Sequence, residues 1–81
     1  MNLFDEFMEE EMYHFWSSFL YKNILFCEGD IIKIYKISPL TVTITASRLQ
    51  GEKMDIPKDV LCNLLEMGML EYFGNSYKQG E

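Results

Sequence analysis

Residues 31–46, IIKIYKISPLTVTITA, contain the pattern that decides the fold. The first half is rich in isoleucine, and the second half alternates between threonine and an apolar residue. β-branched residues favour extended strands, and strict alternation indicates a strand with one buried face. Because Ser38 and Pro39 supply a turn, we predict an antiparallel hairpin formed by strands 31–37 and 40–47. The residues expected on its buried side are Val42, Ile44 and Ala46.

Segments on both sides of this hairpin carry their own signals. A short apolar run precedes Glu28, Gly29 and Asp30, which are typical turn residues. Pro57 suits the first turn of a helix, and Gly68 suits the left-handed residue that ends one. The predicted elements are a sheet within residues 23–56, a helix at 57–67 with an apolar stripe, a strand at 69–73 and a polar tail at 74–81. The residues expected in that stripe are Val60, Leu61, Leu64 and Leu65.

The N-terminal segment fits a helical period. At about 100° per residue, apolar side chains of residues 3–20 fall in one arc and acidic side chains in the neighbouring arc. We therefore expect an amphipathic helix at residues 3–20, which makes the fold class α+β. The apolar arc contains Phe4, Met8, Met12, Phe15, Trp16 and Phe19.

The strand lengths and turn spacing of residues 28–57 resemble those of small SH3-like barrels. This resemblance implies a small antiparallel sheet or a partial barrel, and it carries no function across.

Composition indicates one folded domain, which we place at residues 1–73. Hydrophobic residues make up 48% of the chain, which is enough to build a core. The chain has 81 residues, which are too few to form two separate cores. Six Phe, five Tyr and six Met exceed what such a core needs, so we expect a homodimer. We expect a cytoplasmic protein that does not cross a membrane, because no apolar run approaches about 20 residues. Cys27 and Cys62 lack metal-binding spacing and are expected to be buried free thiols.

No catalytic or metal-binding signature is visible. His14 is the only histidine, and neither cysteine nor any serine lies in a recognisable nucleophile motif. Glu10 and His14 would form half of a metal site at best, and a salt bridge from His14 to Glu10 or Glu11 is the simpler expectation. We predict no enzymatic activity and no cofactor. Direct nucleic-acid binding is also not expected, because the basic residues are scattered among more acidic ones.

The charge distribution is the best functional clue. The net charge is −6, and residues 1–21 contain five acidic residues and no Lys or Arg. In the predicted helix, each pair of like charges four residues apart destabilises the helix by about 0.2–0.5 kcal/mol. This cost suggests that the acidic side chains bind a partner. The acidic residues of this segment are Asp5, Glu6, Glu9, Glu10 and Glu11.

In its small size, acidity and DEFMEEE cluster at residues 5–11, the chain is similar to small phage-encoded host-takeover proteins. Some of these are DNA mimics, so the resemblance implies a basic DNA-binding or transcription protein of a bacterial host as the partner. The predicted site adds Phe7 and Tyr13 as aromatic rim anchors, with Glu28 and Asp30 extending the acidic patch. The alternatives are an adaptor that binds through the apolar helical stripe, or a solvated acidic face that only aids solubility.

Overall fold

A computed structural model describes residues 7–75 of the chain. In chain order its elements are β1 (Glu11–Phe15), β2 (Phe19–Tyr21), β3 (Ile24–Phe26), β4 (Ile31–Ile37), β5 (Thr41–Ala46), a short 3₁₀ helix (Ser47–Leu49), β6 (Lys53–Pro57), α1 (Lys58–Glu66) and β7 (Leu70–Asn75).

Five strands form one antiparallel sheet in the order β6-β5-β4-β1-β7, and β2 and β3 form a separate hairpin. β6 and β7 are the two edges of the sheet, so the sheet is open. The register shifts once between β4 and β5 and once between β1 and β7. These β-bulges leave Tyr35 and Phe73 as the extra residues of β4 and β7.

The central hairpin confirms the prediction from residues 31–46. β4 runs from Ile31 to Ile37 and pairs with β5 across the turn. The three threonines of β5 face away from the core, while Val42 and Ile44 are fully buried. The helix prediction also holds, since α1 buries Leu61 and Leu64.

The predicted N-terminal helix is wrong, and with it the α+β arrangement and the partial barrel. The described part of the chain is mostly β, and the segment between residues 11 and 21 forms β1 and β2. Glu10 has φ of 72°, a left-handed conformation that is incompatible with a right-handed helix. The aromatic residues that fit a helical arc also favour strands, and Tyr13 and Phe15 alternate with exposed or half-buried neighbours.

The hairpin β2–β3 is closed by a two-residue turn. Lys22 and Asn23 both have positive φ, of 48° and 70°. Two such residues are the signature of the tight turn that matches the twist of paired strands, and asparagine tolerates this conformation well. The turn sets the register in which Tyr21 pairs with Ile24 and Phe19 with Phe26.

One face of the sheet is covered and holds the core. α1 leaves β6 at one edge and leads to β7 at the other, and its apolar side chains join the same cluster as those of β1, β4 and β5. The β2–β3 hairpin covers the rest of this face, because Phe26 stacks on Phe15 with ring centroids 5.1 Å apart. Within residues 7–75, no element covers the opposite side, which we call the open face.

Two neighbouring residues of β3 provide a test of this packing. Phe26 is 0% exposed and stacked in the core, whereas Leu25 is 50% exposed. We expect Phe26→Ala to lower the free energy of unfolding by about 3–5 kcal/mol, because it leaves a cavity. Leu25→Ala should change it by only about 0.5 kcal/mol. Urea unfolding followed by circular dichroism measures both, and equal losses would contradict the placement of the hairpin.

Candidate functional site

The open face presents exposed aromatic side chains among polar and charged ones. It is formed by the residues of each strand that point away from the core. Several of these side chains stay half exposed: Trp16 at 52%, Phe73 at 52% and Tyr35 at 49%. Single exposed apolar residues are ordinary, but a contiguous patch on neighbouring strands is typical of a binding surface. The residues that define the open face are Met12, His14, Trp16, Ile31, Lys33, Tyr35, Lys36, Thr41, Thr43, Thr45, Lys53, Asp55, Glu71 and Phe73.

A group of four side chains, His14, Trp16, Glu71 and Phe73, forms the Trp16 cluster at the β1–β7 side of this face. His14 lies directly across from Glu71 in the strand register. The rings of His14 and Trp16 meet edge to face at 4.8 Å, and those of His14 and Phe73 at 5.7 Å. His14 is therefore the central ring, with Trp16 and Phe73 as its two exposed neighbours.

The Glu71 carboxylate holds this cluster together. Its Oε1 accepts hydrogen bonds from Trp16 Nε1 at 2.8 Å and from His14 Nε2 at 3.2 Å. The bond from Trp16, followed by that from His14, lowers the pKa of Glu71 below its ordinary value. Glu71 is therefore an anion at neutral pH, and the orientation of the Trp16 ring is fixed by a charge-assisted hydrogen bond.

The other side of the open face has a different character. Lys53 on β6 places its Nζ 4.6 Å from the centre of the Tyr35 ring, a cation–π contact. Asp55 accepts a hydrogen bond from the Thr43 hydroxyl at 2.5 Å. Lys33, between these two sides, lies 3.7 Å from the Glu10 carboxylate. The lysines of the open face thus lie on β4 and β6, where Asp55 adds one carboxylate, while the Glu71 anion lies among the rings of the Trp16 cluster.

A second apolar patch lies on the β2–β3 hairpin. Leu20 and Leu25 are directly paired across the two strands and are both exposed. This patch lacks the aromatic rings and the fixed polar group that mark the open face. Aromatic residues are enriched at the centres of protein interfaces and leucine is under-represented among the residues that dominate binding, so the open face is the stronger candidate.

The acidic residues predicted as the site are not brought together by a helix. Asp5 and Glu6 lie outside the described residues. Glu9 is exposed, and Glu10 forms the ion pair with Lys33. Glu11 is turned back on the chain, because its Oε1 accepts hydrogen bonds from the Met8 amide and the Tyr13 hydroxyl, each at 2.9 Å.

Glu28 and Asp30 do not extend the acidic segment. Phe15 donates its amide to the Asp30 carbonyl, while Glu10 donates to the Ile34 carbonyl. The two groups of acids therefore lie at opposite ends of β1, about 17 Å apart for five residues of strand. Glu28 is exposed at the turn.

Asp30 has a structural partner. Its carboxylate accepts two hydrogen bonds from Arg48, at 2.6 and 3.2 Å, and one from the Cys27 amide at 2.8 Å. Donation by Arg48, supported by the Cys27 amide, holds the pKa of Asp30 below its usual value. This carboxylate joins the turn before β4 to the short 3₁₀ helix that contains Arg48.

Phe7 and Tyr13 are core residues and do not serve as rim anchors. They are 8% and 6% exposed, and their rings meet edge to face at 6.0 Å. Burial, followed by the hydrogen bond to Glu11, raises the pKa of Tyr13 far above its ordinary value, so its hydroxyl stays protonated. The sequence placed both on a helix surface, whereas Tyr13 in fact points inward from β1.

Sequence reasoning missed Glu71 and Phe73 as site residues. It paired His14 with Glu10 or Glu11, but the carboxylate that contacts His14 is Glu71, 57 residues away. The alternation of Met12, His14 and Trp16 with inward residues was the signal that could have placed one side of the cluster. Nothing local in the sequence indicates that β7 lies beside β1.

The described residues contain no group of three or more His, Cys, Asp or Glu side chains that could hold a metal ion. Within residues 7–75, neither Cys27 nor Cys62 forms a disulfide, and Cys62 is buried. Between residues 7 and 75, no helix is long and apolar enough to cross a membrane.

Comparisons with known proteins identify no relative. No family model matches the chain, and neither a curated protein nor a solved structure matches it. The resemblance to phage host-takeover proteins is tested by none of them and stays a prediction.

The Asp30 ion pair predicts a pH-dependent contribution to stability. Asp30→Ala removes a carboxylate with a lowered folded-state pKa, so it should lower the melting temperature by a few degrees near neutral pH. The stabilisation is present above the unfolded-state pKa of about 3.9 and is lost as pH falls through the folded-state value.

The difference in melting temperature between the wild type and Asp30→Ala should therefore shrink below about pH 4. Glu28→Ala is the matched control, because this neighbouring acid is exposed and should leave the melting temperature unchanged. A difference that stays constant from neutral to acidic pH would contradict the role of the Asp30 carboxylate.

Proposed function

We propose that this protein is a non-enzymatic binding module that docks a partner polypeptide through the open face. The observation that carries the proposal is the Trp16 cluster, in which Glu71 accepts hydrogen bonds from Trp16 and His14 while Phe73 packs against the His14 ring. Covering half-exposed aromatic rings releases water from apolar surface, and rings that are already fixed lose little conformational entropy on binding. The proposal is a form of the adaptor hypothesis. The binding surface is now the open face of the sheet and no longer the apolar stripe of an N-terminal helix.

The charge on the open face favours a polypeptide over nucleic acid. Single-stranded nucleic acids do stack on aromatic sheet residues, and Lys33 and Lys53 could contact phosphates. The most exposed rings, however, surround an ionised carboxylate that would repel phosphates. The net charge of −6 on the whole chain adds to this repulsion.

Mimicry of DNA by the acidic segment is the second candidate. The net charge of −5 on residues 1–21 supports it, and Glu9 is exposed at the start of the described chain. Against it, the carboxylates of Glu10 and Glu11 already have partners within the chain, so they are less available to a basic partner. The homodimer expected from composition is a further proposal, and a second copy is one polypeptide that the open face could bind.

We place this binding in the cytoplasm. Cys27 and Cys62, which form no disulfide, support that compartment, because a reducing environment keeps cysteines as thiols.

Changes on the open face should abolish partner binding while changes elsewhere should not. The protein is immobilised, and proteins retained from nuclease-treated bacterial lysate are compared between the wild type and a Trp16→Ser/Phe73→Ser variant. We expect the wild type to retain a partner that the open-face variant loses. A Leu20→Ser/Leu25→Ser control should retain the same partner. Circular dichroism verifies that each variant is folded.

The same comparison separates the two candidate functions. Reversal of Asp5, Glu6 and Glu9 to Lys spares the Glu10–Lys33 ion pair and should leave a partner of the open face bound, whereas it should release a partner attracted by the acidic segment. Retention by the open-face variant together with loss on charge reversal would overturn our proposal. Failure to find any partner that depends on Trp16 and Phe73 would also contradict it.

A further inference from the structure

The Trp16 cluster combines the two features that recognise an organic cation. Faces of aromatic rings attract cations through the ring quadrupole, and tryptophan does so best. Trp16 and Phe73 each leave about half of their surface exposed, beside a carboxylate whose side chain is 60% exposed. An exposed anion next to exposed rings is complementary in charge to a cationic side chain.

We propose that the Trp16 cluster is a receptor for an arginine side chain of the partner polypeptide. This inference rests on the proposed function, since it names the chemical group that the open face takes from its partner.

Glu71 has capacity for a further donor. Both of its hydrogen bonds from within residues 7–75 end on Oε1, which leaves Oε2 without a donor among these residues. A carboxylate accepts several hydrogen bonds, and a guanidinium group donates through a flat fork that suits one. The lowered pKa of Glu71 keeps this oxygen charged at neutral pH.

Within residues 7–75, the cations that contact rings or acidic groups do so outside the Trp16 cluster. Lys53 lies over Tyr35 and Lys22 over Tyr21, while Lys33 and Arg48 pair with acidic residues. Among residues 7–75, no Lys or Arg forms an ion pair with Glu71 or lies over a ring of the cluster. Tyr35 on the same face shows that a cation over an exposed ring is compatible with this surface.

Arginine fits the cluster better than lysine does. The guanidinium group is planar, so it can stack on an indole ring while its edge donates to a neighbouring carboxylate. It is also more weakly hydrated than an ammonium group, so it loses less solvation when it leaves water for a half-exposed site. Lysine can provide the charge but not the stacking.

The test uses N-acetyl-arginine amide as the probe and N-acetyl-citrulline amide as its neutral isostere. Trp16 is the only tryptophan of the chain, so indole fluorescence and the indole N–H resonance both report on this site. We expect saturable changes with the arginine probe, with an affinity in about the millimolar range, and none with citrulline. Sodium chloride at matched ionic strength controls for a general salt effect.

Glu71→Gln separates charge from hydrogen bonding, because the amide oxygen can still accept from Trp16. It should weaken arginine binding by about fivefold or more, since the ion pair is lost. Glu52→Gln makes the same change of net charge at an exposed turn residue and should leave binding within about twofold of the wild type. Phe73→Leu keeps the apolar bulk, removes the ring and should also weaken binding.

Equal responses to arginine and citrulline, or equal effects of Glu71→Gln and Glu52→Gln, would overturn the arginine receptor. If the open face still captures a partner in that case, only the receptor fails and the proposed function stands. If arginine binds as expected but no partner depends on Trp16 and Phe73, the affinity of the cluster for arginine stands, but its use in binding a partner fails together with the proposed function.

Discussion

Five strands share one sheet, but the remaining elements of the described chain can cover only one of its faces. Adjacent strands lie about 4.8 Å apart, so the axes of β6 and β7 are separated by about 19 Å. A helix of nine residues is about 13 Å long and cannot cover that width alone. The β2–β3 hairpin completes the cover, and its link to the sheet is the stack of Phe15, Phe19 and Phe26. Both covering elements are used on the core side, which leaves the open face without a cover from within residues 7–75.

The parts of the fold that the sequence predicted are those with one dominant period. In β5, apolar residues and threonines alternate strictly, which is the period of a strand. In α1, the spacing of Leu61 and Leu64 is that of one helix face. Residues 11–16 satisfy both periods, because aromatic residues occupy successive positions and give either face an apolar side. Tertiary pairing decides between the two: β1 receives hydrogen-bonded neighbours on both sides, from β4 and β7. A single sequence does not show that these neighbours exist.

The same uncertainty explains why the candidate site was only partly predicted. The acidic residues were visible in the sequence, but the helix that would have aligned them does not form. Glu11 instead satisfies the Tyr13 hydroxyl at the edge of the core, and Asp30 anchors Arg48. These carboxylates stabilise the fold through hydrogen bonds within the chain, so their presence in the sequence does not require a binding partner. His14 and Trp16 could be found in the sequence as strand neighbours, but Glu71 and Phe73 join them only through the long connection from β6 across the core.

The two β-bulges each place an aromatic ring beside a charged side chain of the open face. In β4 the extra residue is Tyr35, which receives the Lys53 ammonium, and in β7 it is Phe73, which packs against His14 beside Glu71. Each bulge therefore presents an aromatic ring, with a cation near one and an anion near the other. A partner that covers both rings has to match opposite charges at the two sides, and reversing it would place like charges together. Because such mismatches cost several kcal/mol, the order of the strands would fix the orientation of the bound partner as well as its position.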